Sequence, residues 1–124
     1  MKKFMIPCRL DGLNEFIAKE RSNRYAAGNM KKKNEKFVMA AILASGIQPV
    51  PADKIPVQII FDWYDNGRRD IDNVSFSKKF ILDALQESFI LENDDRKNVC
   101  GFQDNFFLDK NEHVDVTILE KGEY

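Results

Sequence analysis

Apolar and polar residues alternate along one segment of the chain, and apolar residues recur at helical spacing in several others. The alternation is clearest over residues 57–64, where Val57, Ile59, Phe61 and Trp63 fall on one face of a predicted strand. Shorter patterns of the same kind predict further strands over residues 3–10, 99–102, 106–108 and 113–119.

The helical spacing of apolar residues predicts three helices. A first helix over residues 14–27 is expected to break at Gly28, before a second helix over residues 30–45 that Gly46 ends. A third helix is predicted over residues 73–87. These helices supply the apolar faces that can cover a sheet.

The order of these elements predicts a single α+β domain over residues 1–124, with helices packed on a mostly antiparallel mixed sheet. Pro7 places the first strand at an edge, because proline cannot donate to a strand on that side. Residues 109–112 are expected to join the last two strands as a hairpin.

The charge balance changes along the chain. Residues 1–53 carry ten Lys and Arg against five Asp and Glu, whereas residues 54–124 carry nine against fifteen. This asymmetry suits a protein that holds a polyanion on a basic surface and binds cations with carboxylates; an ordinary solvated surface is the alternative. The basic residues between the helical stripes are Arg21, Arg24, Lys31, Lys32, Lys33 and Lys36.

Several classes of protein and site are disfavoured. No apolar segment approaches the ~20 residues of a membrane span, and no signal sequence is evident, so we expect a cytoplasmic protein without a membrane partner. Cys8 and Cys100 lack metal-ligand spacing and are expected to be free thiols. His113 is the only histidine, which disfavours a histidine-rich zinc site or a Ser-His-Asp triad.

Residues 68–85, here called the central stretch, concentrate the candidate chemistry. In extended backbone the carboxylates of Asp70 and Asp72 would point the same way and converge. A cation relieves their repulsion, and Mg²⁺ or Mn²⁺ suits such oxygen ligands and can activate water against a phosphate. Arg68 and Arg69, directly upstream, are placed to bind phosphates.

Lys79 follows Asp72 by seven residues, nearly two helical turns, so a continuous helix would return it to the same face about 10 Å further on. Lys78 lies about 100° round the helix, and Asp83 could orient Lys79 as an i,i+4 pair. Helix capping by Asp72 or Asn73 and a solvated lysine face are the structural alternatives.

Three segments carry a resemblance to a known family: Arg69-Asp70-Ile71-Asp72-Asn73, then Lys79-Phe80-Ile81-Leu82-Asp83-Ala84-Leu85, then Asn93-Asp94-Asp95 with Val99. Together they resemble the RusA family of Holliday-junction resolvases, and they are most similar to its phage-encoded members. The specific motifs cover residues 68–102, and weaker similarity extends from Leu13 to Leu119.

The resemblance implies a RusA-like fold and a homodimeric, Mg²⁺-dependent endonuclease that nicks two opposed strands of a four-way DNA junction in recombination or repair. The compartment is then the cytoplasm, that of the host cell for a phage-encoded protein. The residues that match the family's site are Asp70, Asp72, Asp94, with Asp95 as the alternative third carboxylate, and Lys79, with Lys78 as the alternative lysine. DNA contacts are expected from Arg68, Arg69, Lys78, Arg21, Arg24, Lys31, Lys32 and Lys33.

Two other functions stay open on the sequence. In one, the chain is a non-catalytic DNA-binding or assembly protein whose acidic residues serve capping and dimer contacts. In the other, it is a metal-dependent nuclease that acts on flaps or other branched DNA.

Overall fold

The computed structural model describes residues 1–124 and places helices against one face of a four-stranded sheet. In chain order the elements are β1 (Lys2–Ile6), α1 (Leu13–Ser22), α2 (Ala26–Ser45), β2 (Val57–Asp65), α3 (Ile71–Ser75), α4 (Lys78–Glu87), β3 (Val99–Leu108) and β4 (His113–Leu119), with a 3₁₀ turn at Ala52–Lys54. The predicted α+β class is confirmed. None of the helices is both long enough and apolar enough to span a membrane.

The sheet has the order β1-β4-β2-β3. β4 pairs antiparallel with β1 and with β2, whereas β3 pairs parallel with β2. The sheet is therefore mixed and mostly antiparallel, and β1 is an edge strand, as Pro7 predicts. The predicted hairpin is wrong, because β2 lies between β3 and β4 and residues 109–112 pass over its end. The two short strands predicted within residues 99–108 form one continuous strand, β3.

The predicted alternation in β2 is confirmed, since Val57, Ile59, Phe61 and Trp63 are at most 1% exposed. Burial of such a side chain contributes about 1.5–3 kcal/mol each. The opposite face of β2 stays partly exposed. The residues of α2 and α4 that belong to the core on the buried face are Val38, Ala41, Ile42, Ile81, Ala84 and Leu85.

The break between the first two helices lies earlier than predicted. Gly28 is inside α2, and the break falls where the Asn23 side chain accepts hydrogen bonds from the backbone N–H groups of Tyr25 and Ala26, both at 2.9 Å. Asn23 thus satisfies amides at the start of α2, and one glycine does not outweigh a long helix that packs on the core. Gly46 ends α2 with a φ of 70°, as predicted.

The predicted third helix is two helices, α3 and α4. Between them, the amide of Ser77 donates to the carbonyl of Val74 at 3.3 Å and the amide of Phe80 donates to the carbonyl of Ser77 at 3.0 Å. These i→i+3 bonds tighten the backbone relative to an α-helix. The break changes the phase of every residue in α4 relative to those in α3.

Candidate active site

The central stretch is fastened to the loop that precedes α1. The Asn73 side chain is buried, and its Oδ1 accepts the backbone N–H of Asn14 at 3.0 Å. The hydroxyl of Ser77 donates to the carbonyl of Asp11 at 2.8 Å. Gly12 leaves room for this contact, because a Cβ there would lie 2.4 Å from Asn73 Oδ1. Asn73 therefore joins α3 to the start of α1 and does not face solvent.

Arg69 is also turned inward. Its guanidinium donates to the carbonyl of Leu10 at 3.3 Å and lies 3.8 Å from a carboxylate oxygen of Glu15 and 4.0 Å from one of Glu112. Its side chain is 14% exposed, and burial together with neighbouring Arg9 lowers the pKa of Arg69 from its ordinary value. The Arg69 guanidinium, which we expected to bind phosphate, is therefore engaged in contacts within the fold.

Asp70 and Asp72 are exposed, and neither carboxylate forms an ion pair or a hydrogen bond. Asp70 precedes α3 in extended backbone, with φ −64° and ψ 152°, but makes no capping bond, whereas Asp72 lies within the helix. Because Ile71–Ser75 is helical, the extended backbone on which their convergence was predicted is absent. Arg68 is exposed beside them, also without an ion pair.

Lys78 packs against the sheet. Its Nζ donates to Asp104 Oδ2 at 2.6 Å and lies 5.2 Å from the ring centre of Phe61 and 4.8 Å from that of Phe102. Asp104 also accepts the indole N–H of Trp63 at 2.8 Å. Lys78 is therefore held by a carboxylate and two aromatic faces, an arrangement that typically contributes about 0.5–1 kcal/mol.

Lys79 is exposed and has no ion pair. The tighter turn between α3 and α4 shifts Lys79 in phase relative to the position that a continuous helix predicted with respect to Asp72. The predicted pairing of Lys79 with Asp83 is also wrong, because Asp83 lies 3.0 Å from Lys31 Nζ across the α2–α4 contact. Of the two adjacent lysines, Lys79 is the one that remains free for a ligand.

Asp94 and Asp95, in the loop between α4 and β3 that is here called the acidic loop, differ in the same way as the two lysines. Asp95 Oδ1 accepts the side-chain amide of Asn98 at 2.8 Å and its backbone N–H at 3.2 Å, and these bonds lower the pKa of Asp95. Asp94 has no partner for its carboxylate and lines an open groove with Arg96 and Phe102. Asp95 thus supports the turn, while Asp94 is free.

The free carboxylates lie at opposite ends of a strand pair. Asp70 and Asp72 follow the carboxyl end of β2, whereas Asp94 precedes the amino end of β3, and the two strands are parallel and pair from Val57–Val99 to Asp65–Leu108. A strand as long as β2 spans about 25 Å. No three His, Cys, Asp or Glu side chains are grouped to hold a metal ion. The predicted set of three carboxylates is therefore not assembled within one chain.

One residue of the predicted basic surface, Lys31, forms ion pairs with carboxylates of the fold. Lys31 Nζ lies 3.0 Å from Asp83 and 3.7 Å from Glu35, and the contact with Asp83 raises the pKa of Lys31. Glu35 is buried, and burial followed by the nearby Glu87 carboxylate raises the pKa of Glu35. Lys31 thus offsets an acidic cluster between α2 and α4.

The remaining basic residues of the two helices are more accessible. Arg21 and Lys32 are exposed without ion pairs, and the Arg24 guanidinium lies 4.8 Å from the ring centre of Tyr25. Lys33 keeps 62% of its side chain exposed although it lies 3.7 Å from Asp11. An accessible basic face therefore remains on α1, the following turn and the start of α2.

Two charged side chains that contact the predicted site residues or their partners, Asp104 and Arg9, were not predicted from the sequence. Asp104 fell in the gap between two predicted strands, and only a continuous β3 beside β2 places it under Lys78. Arg9, which binds Glu15 at 2.6 Å and lies 3.5 Å from Glu112, lies in a loop, because β1 ends at Ile6 and the strand predicted over residues 3–10 is too long. Asp104 lies between the polar residues Gln103 and Asn105, so no local pattern marked it.

No model of a known protein family matches the chain, and no curated protein matches it. The function must therefore be inferred from the residues themselves. The features available for that inference are two free carboxylates at the start of α3, a free lysine at the start of α4 and an accessible basic face.

Proposed function

We propose that the chain is a Mg²⁺-dependent endodeoxyribonuclease that resolves four-way DNA junctions as a homodimer, in recombination or repair. The motifs of the central stretch support this through their resemblance to the RusA family. One structural observation carries it further: the fold uses Arg69 and Asn73 for internal contacts but leaves Asp70 and Asp72 exposed and unpaired. Carboxylates that have no role in the fold are available for a ligand.

The donor set fits a magnesium ion held partly by water. Mg²⁺ commonly uses one or two carboxylates and keeps several waters, which Asp70 and Asp72 can provide, and Mn²⁺ accepts the same ligands. When bound, the ion would supply an activated water and neutralise charge on a phosphate. Asp94 lies at the other end of the sheet, so it contributes to this site only if a second copy of the chain supplies it.

The other free side chains would hold the DNA. Arg68 and Lys79 flank the carboxylates in sequence and can bind phosphate oxygens, while Arg21 and Lys32 can extend the contact along the backbone. Such contacts do not distinguish base sequences, so they suit an enzyme selective for DNA shape. Two sites related by a two-fold axis would match the symmetry of a junction.

The proposal is tested with one end-labelled DNA strand that is assembled with different partner strands into a four-way junction, a flap or a linear duplex. Each is incubated with the full chain in Mg²⁺, Mn²⁺ or excess chelator. We expect symmetric nicks in opposed strands of the junction that require the metal. Junction binding without nicking in either metal would favour a non-catalytic DNA-binding or assembly protein. Preferential flap cleavage would favour a different branched-DNA nuclease.

A further inference from the structure

The two edges of the sheet are built differently. The β1 edge has five residues, begins with Lys2 and Lys3 and is followed by Pro7. The β3 edge has ten residues and contains no lysine, arginine or proline. Proteins usually protect edge strands with short length, charges or proline, because unpaired N–H and C=O groups bind any strand that approaches. One edge of this sheet is protected in that way.

The long edge is regular over most of its length. Its one irregularity relative to β2 lies at the start, between Val99 and Gly101, and residues 101–108 pair without interruption. Asp104 is its only charged residue, and Lys78 neutralises it at 2.6 Å. The outer backbone groups of this segment are therefore presented in a regular row, without net charge to repel a partner.

Large apolar side chains accompany the free backbone groups. Phe102 is 48% exposed, Phe107 44% and Leu108 81%. They occur near both ends of the regular segment, so an antiparallel copy of β3 would place apolar residues of one chain opposite those of the other. A partner with the same strand therefore covers the edge without needing any other sequence.

We propose that β3 pairs antiparallel with β3 of a second copy of this chain, so that one sheet continues across a two-fold axis. A two-fold axis normal to the sheet pairs residues of the same face. Centring the pairing on Asp104 would oppose two carboxylates, which is unfavourable. Centring it on Asn105 pairs Phe102 of each chain with Leu108 of the other, and this is the register we infer. The dimer rests on the proposed function, whereas the choice of β3 and of this register derives from the sheet edge.

Cysteine cross-linking tests the register. In a full-length chain with Cys8→Ser and Cys100→Ser, the change Asn105→Cys should give an interchain disulfide under mild oxidation. Directly opposed residues of antiparallel strands have Cα atoms about 4.5–5.5 Å apart, within the range for a disulfide. Gln103→Cys is the matched control, because the two copies of residue 103 would be about 13 Å apart along the strands. Equal cross-linking at both positions, or none at residue 105, would overturn the register.

Sedimentation velocity tests the interface itself. We expect a wild-type dimer, weakened about tenfold or more by Leu108→Lys, which removes two symmetry-related contacts with Phe102. Met5→Lys, which changes a half-exposed residue on the β1 edge, should leave the dimer intact. A monomeric wild type, or a dimer that only Met5→Lys weakens, would refute the proposal. A monomeric wild type would also contradict the homodimer of the proposed function, whereas a dimer that Leu108→Lys leaves intact would overturn the β3 interface alone.

Discussion

Asp70 occupies the position before α3 at which a carboxylate usually caps a helix, yet its side chain makes no capping hydrogen bond. Its neighbour Arg69 is enclosed by a carbonyl and two carboxylates, and Asn73 bonds to the start of another helix. Adjacent polar residues of one motif therefore divide into those that hold the fold and those that remain free. That division is the basis for assigning a ligand to Asp70 and Asp72.

The acidic loop offers a test of the same division. Asp95→Ala removes the acceptor of the Asn98 side-chain amide, while the Asn98 backbone N–H keeps the carbonyl of residue 95 at 3.0 Å, so we expect a moderately lower Tm at neutral pH. Because folding lowers the pKa of Asp95, its contribution is present above the ordinary Asp pKa and is lost as the pH falls through the lowered folded value. Thermal unfolding followed by circular dichroism across that pH range measures the effect. Asp94→Ala is the matched control, and an equal loss of Tm in both variants would contradict these roles.

At the scale of elements, α1 and α3 are positioned together at Gly12. Gly12→Ala would place a Cβ 2.4 Å from Asn73 Oδ1 and 2.7 Å from its backbone carbonyl oxygen. Since a backbone carbonyl cannot easily move away, we expect the free energy of unfolding to fall by about 1–3 kcal/mol. Urea unfolding measures this change.

Gly28→Ala provides the control for that experiment. Gly28 lies in α2, and a Cβ at this position would meet no atom within 4 Å, so alanine should add helix stability of up to about 1 kcal/mol. If Gly12→Ala were as stable as wild type, the contact between α1 and α3 would not be the constraint that the geometry indicates.

The sequence predicted those elements whose pattern is local. The apolar-polar alternation predicted β2 and β4, and Gly46 predicted the end of α2. The break before α4 was not predictable, because it accompanies the hydrogen bond from Ser77 to Asp11, which is distant in sequence. The choice between the two lysines likewise depends on β3 lying parallel to β2, which no local pattern encodes.

At the scale of the whole molecule, the contact between α1 and α3 brings part of the basic face near the free carboxylates. Arg21 lies about 10 Å along α1 from Asn14, which bonds to α3 through Asn73. In the proposed complex with DNA, one strand would contact both regions. The sheet meanwhile separates Asp94 from Asp72, a separation that the spacing of motifs along the chain did not indicate.

The most direct test of the proposed function is the rate at which Asp72→Asn nicks a labelled four-way junction in Mg²⁺. Asp53→Asn is the matched control, since Asp53 is an exposed aspartate in the 3₁₀ turn before β2. We predict at least about a hundredfold loss of nicking for Asp72→Asn, with junction binding retained in chelator, and a wild-type rate for Asp53→Asn. Nicking by Asp72→Asn at the wild-type rate would contradict the assignment of the site.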